Sequence, residues 1–125
     1  MSDDSSDLTG SLVDAGLMVH RTLGPGLLER VYEHCLAHEI KRRGLSLRRQ
    51  VWLPIQYGGV ELAEGFRMDL VVEERIIVEV KAVESLTRLH QSQLLSYLRL
   101  SGLRVGLLMN FNVPLFKDGV RRLAL

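Results

Sequence analysis

The chain has one cysteine, a formal net charge of only +1 across 125 residues, and no apolar run approaching a membrane span, which takes roughly 20 residues. Each scarcity excludes a class. With Cys35 alone there is no disulfide framework and no support for redox chemistry; lying in a helical pattern, it reads as a small core residue. A charge near zero excludes a polycation that coats nucleic acid nonspecifically. The opening Met1-Ser2-Asp3-Asp4-Ser5-Ser6-Asp7 is acidic and polar where a secretory leader would be basic and then apolar. A cytoplasmic protein with no membrane partner is therefore expected. Repeats and internal linkers are also lacking, so the expectation is a flexible leader over residues 1–8 and one domain over 9–125. That length suffices to bury a core without disulfides or structural metal.

What is present is strong periodicity. Leu8, Leu12, Ala15, Val19 and Leu23 recur at spacings of three and four, the buried stripe of a first helix. Gly24-Pro25-Gly26 interrupts it, and Pro25 is expected to open a second helix with the stripe Leu28, Tyr32, Cys35, Leu36 and Ile40, ending at Gly44. The period then changes to two. Leu45, Leu47, Val51, Leu53, Ile55 and Tyr57 alternate with polar residues up to Gly58-Gly59, a hairpin signal. A second strand is predicted from Val60 to Val72, distorted near Glu64-Gly65, and a third from Arg75 to Ala82. A helix over Thr87 to Ser101, closed by Gly102, leads to an apolar strand over Leu103 to Met109. After a loop from Phe111 to Gly119, Val120 to Leu125 reads as a short edge strand. The order α-α-β-β-β-α-β implies an α/β protein of the α+β kind with a mixed sheet: an antiparallel meander, then a helical crossover.

The most informative stretch is Phe66-Arg67-Met68-Asp69-Leu70, followed ten residues on by Val78-Glu79-Val80-Lys81. The even positions Phe66, Met68, Leu70, Val72, Ile76, Val78 and Val80 are apolar, whereas odd positions include Arg67, Asp69, Glu79 and Lys81, so one core face and one charged face are expected. A hairpin turn at Glu73-Glu74 would set Asp69 across from or diagonal to Glu79. Carboxylates about 5 Å apart repel by roughly 3 kcal/mol at an effective dielectric near 20. A hard divalent cation would offset this, since Mg²⁺ takes one or two carboxylates plus waters and phosphate oxygens. Lys81, on the same face, can orient or activate water or stabilise charge developing on a phosphate. The competing reading is a solvated sheet face with a weak Glu79 to Lys81 ion pair. Val71 and Ile77 weigh against it, because they share that face and imply a cover.

Other residues fit the same site. Glu29 is either a third carboxylate or an acid placed at a helix N-terminus. Gln93 and Tyr97, with His90, form one stripe of the later helix and fall near the end of the Glu79 strand. His34 and His38 have a chelating spacing but no third ligand, so an exposed helix face is the better reading. Lys41-Arg42-Arg43, Arg48-Arg49 and Arg121-Arg122 are local basic clusters available to phosphates, the first equally explained by a helix C-terminus.

These residues carry a resemblance. Asp69 with Glu79-Val80-Lys81 resembles the motif of the PD-(D/E)xK nuclease superfamily, with Met68 standing where the name has proline. Gln93-Leu94-Leu95-Ser96-Tyr97 resembles the QxxxY motif of the RecB-like branch. Gly26-Leu27-Leu28-Glu29-Arg30-Val31-Tyr32 is similar to the signature of the small GxxExxY family in that superfamily. The resemblance implies a restriction-endonuclease-like core and a Mg²⁺- or Mn²⁺-dependent nuclease acting on DNA more readily than RNA. Metal would be held by Asp69, Glu79, the Val80 carbonyl and Glu29; Lys81 would serve the attacking water, supported by Gln93 and Tyr97. A homodimer or a protein partner is expected in so small a chain. The alternative is a catalytically silent module of the same fold that binds nucleic acid or protein.

Overall fold

Apolar residues at helical spacing fold the first third of the chain into two helices, and alternating ones fold most of the rest into a sheet. The computed structural model describes residues 5–125. In order these form α1 (Ser6–Leu23), α2 (Glu29–Arg42), β1 (Leu47–Tyr57), β2 (Val60–Val72), β3 (Ile76–Lys81), α3 (Arg88–Ser101), β4 (Val105–Asn110) and β5 (Val120–Ala124). A 3₁₀ turn at Phe116–Gly119 precedes the last strand. The strands form one five-stranded sheet in the order β1-β2-β3-β4-β5. All neighbours are antiparallel except β3 and β4, which α3 joins as a parallel crossover. The result is the mixed sheet expected from the element order, an antiparallel meander followed by a helical crossover.

Two boundaries differ from expectation. Helix α1 already begins at Ser6 and buries Leu8, so residues 6–8 of the expected leader are helical; residues 1–4 lie outside the described ones. Pro25 does not open α2. The helix starts at Glu29, and the Tyr32 hydroxyl holds the intervening loop, donating to the Gly24 carbonyl at 2.6 Å and accepting from Leu27 N–H at 3.0 Å. The strand distortion falls where expected: the β1–β2 register shifts between Leu53 and Ile55, opposite residues 63–65. Any side chain at Gly65 would press on Ile55 and the Leu53 carbonyl, which is why glycine sits there.

The larger difference concerns the faces of the sheet. Leu70, Val72, Ile76, Val78 and Val80 do bury together, against α1 and α2. The other face is covered, as Val71 and Ile77 imply, with α3 packing Leu94, Tyr97 and Leu98 on Val71, Ile77 and Leu108. Gly106 on β4 permits this approach, since a Cβ there would come within 2.8 Å of Leu94. Phe66 and Met68, although even-numbered, also face α3, so alternation inverts at Asp69. It inverts on β1 as well. Leu45 and Leu47 join the α1/α2 side, Val51 and Leu53 the α3 side, and between them Gln50 takes a left-handed φ of 52°. A residue in that conformation puts two consecutive side chains on one face, as in a bulge.

Candidate active site

The turn Glu73-Glu74 sets the register. Both residues have positive φ (54° and 50°), and Arg75 N–H closes on the Val72 carbonyl at 2.9 Å. This conformation strains a glutamate. Ties to β1 and the residue before it hold it: Glu73 accepts from the Ser46 backbone and hydroxyl, both at 2.6 Å, and Glu74 pairs with Arg48 at 2.7 Å. The pairs Val72 with Ile76, Val71 with Ile77 and Leu70 with Val78 then bring Asp69 opposite Glu79.

At that point the backbone ladder gives way to side chains. Asp69 N–H donates to the Glu79 carboxylate at 2.7 Å, and Val80 N–H donates to the Asp69 carboxylate at 2.9 Å. Each acid thus accepts from the opposite strand where β2 leaves β3. Glu79 is only 3% exposed, being on a strand buried on both faces. Burial, then the neighbouring Asp69 charge, pushes its carboxyl up to about 8. Burial likewise raises Asp69 to about 6, against the Val80 N–H, which favours the ionised form. Near neutral pH, without a cation, such a pair retains a proton.

Asp69, Glu79, Lys81, Gln93 and Tyr97 line one open cavity of about 370 Å³, together with Trp52, Phe66 and Arg67. The structure therefore brings together the side chains expected at the site except that of Glu29, while Val80, expected to offer its carbonyl, has its side chain in the opposite core and is not among the lining residues. Tyr97 is buried, stacked obliquely on Phe66 at 5.1 Å, and its hydroxyl is pushed up to about 12, first by burial and then by the two carboxylates. It stays a neutral donor. His90 does not extend this stripe into the site: it closes a capping box with Thr87 at the start of α3. The loop after Lys81 is tethered by buried Asn110, whose side chain accepts from Val83 N–H at 3.0 Å and donates to the Val83 carbonyl at 2.9 Å.

Glu29 lies at the exposed start of α2 and lines an adjoining cavity that meets the first at Arg67 and Asp69. Among the described residues, no three His, Cys, Asp or Glu side chains are grouped to hold one ion, so Glu29 is not placed as a third direct ligand. The oxygen donors present are a facing carboxylate pair. Such a pair, completed by water and phosphate oxygens, suits a hard divalent cation.

Glu33 and Gln50 were not singled out in the sequence. Glu33 is 6% exposed, accepts from Gln50 at 2.6 Å and from Arg49 at 3.1 Å, and its charge helps to raise Asp69. The Gln50 amide also reaches Asp69 at 3.5 Å. The signal for Glu33 was an acid beside Tyr32, one turn after Glu29 on the same helix face. Among the basic clusters, Arg49 is engaged by Glu33, Arg48 by Glu74, and Arg42 and Arg43 by Glu39 at the end of α2. Arg42 and Arg43 stand at the C-terminal end of α2, where cations complement the helix dipole.

A mixed sheet with an aspartate facing a glutamate at the mouth of a strand pair, and a lysine two residues on, defines a restriction-endonuclease-like protein. The family model of the PD-(D/E)XK nuclease superfamily matches residues 6–123, and the chain belongs to that superfamily. Its nucleases generally use divalent metals. No curated protein and no solved structure matches the chain. Met68, in the position the superfamily name gives to proline, is 3% exposed in the core beneath α3. Among the described residues, no helix is long and apolar enough to cross a membrane.

Proposed function

We propose that the protein is a Mg²⁺- or Mn²⁺-dependent nuclease that hydrolyses phosphodiester bonds, of DNA before RNA, and that it belongs to the GxxExxY group. The observation that supports this best is the facing pair Asp69 and Glu79 with Lys81 in one cavity open to solvent. Asp69, Glu79 and the Val80 carbonyl are the metal-holding groups; Glu29 and Glu33, across Asp69, act through water. A bound divalent ion would supply Lewis-acid activation of the phosphate and lower the pKa of water. Lys81 orients the attacking water and stabilises charge on the phosphoryl oxygens as the P–O bond to the leaving oxygen breaks. Gln93 and the neutral Tyr97 hydroxyl supply donors at the cavity wall. Asp69, Glu79, Glu29 and Lys81 carry a formal charge of −2, which one divalent ion neutralises. Cleavage of single-stranded DNA, duplex DNA and RNA with Mg²⁺ or Mn²⁺ tests the proposal. Equal activity in wild type, Glu79→Ala and Lys81→Ala would end it.

One observation favours a second reading, a catalytically silent module of the same fold. The two carboxylates fasten β2 to β3 through backbone N–H groups without any ligand. Titration with Mn²⁺ separates the readings: a silent fastener binds none, or binds it unchanged in Asp69→Ala.

A further inference from the structure

Trp52 is the only tryptophan in the chain and stands 51% exposed in the wall of the cavity that Asp69, Glu79 and Lys81 line. It lies on the part of the β1–β2 ribbon that runs beyond β2's pairing with β3. Arg67, directly across the ladder, places its guanidinium over the ring at 5.3 Å from the centroid. Burial does not explain the position, since neighbouring Val51 and Leu53 turn toward the core beneath α3.

We propose that Trp52 and Arg67 form a stacking platform for an unpaired base next to the scissile phosphate, so that the site takes single-stranded nucleic acid. The inference rests on the nuclease reading of the same cavity. An open indole face gains from a base only where that base's own face is free, and in a duplex the neighbouring bases cover it. The guanidinium adds a positive charge to the cavity that Lys81 also lines, which suits a strand's phosphate. A cavity of about 370 Å³ has room for one nucleotide beside the acids.

A lone tryptophan makes the test direct, because fluorescence excited selectively in the indole reports Trp52 alone. In EDTA, which prevents turnover, a single-stranded oligonucleotide should quench it at a concentration at least about tenfold below that of the same sequence as a blunt duplex, within the range expected for base stacking. Trp52→Ala should raise the KM for single strands by about five- to 100-fold, with the loss in KM rather than kcat, and Trp52→Phe should recover part of it. Equal quenching by duplex and single strand, or an unchanged KM in Trp52→Ala, overturns the platform even if cleavage is intact. Selective quenching by single strands in a protein that cleaves nothing keeps the platform and removes the nuclease reading.

Discussion

Replacing Glu79 by glutamine separates the cost of the buried charge from its use. The amide keeps the volume and, through its oxygen, the bond from Asp69 N–H, but it cannot ionise. The wild-type carboxyl is pushed up to about 8 from 4.5, so between those values the folded protein holds a proton that the unfolded chain has lost. Stability of the metal-free protein therefore falls as pH rises through this window. At about 1.4 kcal/mol per pH unit, the loss from pH 4.5 to 7 is about 3 kcal/mol. With roughly 2.1 cal/mol/K of unfolding entropy per residue, that corresponds to roughly 10 °C in Tm. In EDTA, wild type and Glu79→Gln should thus melt close together near pH 4.5 and diverge as pH approaches 7, the variant being higher. Adding Mg²⁺ should raise the wild-type Tm most at the higher pH and the variant's much less, and the variant should not cleave. Parallel melting curves for the two proteins across the range would refute the reasoning.

Lys81→Ala should lower kcat for phosphodiester cleavage by about 100-fold or more, by analogy with removal of a transition-state charge stabiliser, while Tm moves by only a few degrees. Tyr32→Phe deletes both bonds that hold the Gly24 to Leu27 loop and should cost about 1–2 kcal/mol, read as a lower Tm and faster exchange of the Leu27 amide. Thr87→Ala removes the α3 cap and should cost about 1 kcal/mol in a denaturant titration.

The elements were legible because each is written by a local period. The stripe from Leu8 to Leu23 is α1, and Gly102, left-handed at φ 79°, closes α3 where expected. The acid pair was legible for the same reason: a two-residue turn at Glu73-Glu74 leaves one register, and that register sets Asp69 against Glu79. Alternation failed at Asp69 and Gln50, because a left-handed residue and an inverted strand are answers to packing by α3 that period-two counting cannot see. Glu33 was missed because its partners, Arg49 and Gln50, lie 16 and 17 residues along the chain.

By itself the sequence determined where helices and strands fall and which acids share a ladder, since both depend on spacing within a few residues. Only the tertiary structure decided that α3 covers the Glu79 face, that Glu29 stands in a neighbouring cavity, and that Trp52 borders the acids. Those facts depend on how distant segments pack, and packing is settled by the three-dimensional fit of the two cores rather than by any local pattern.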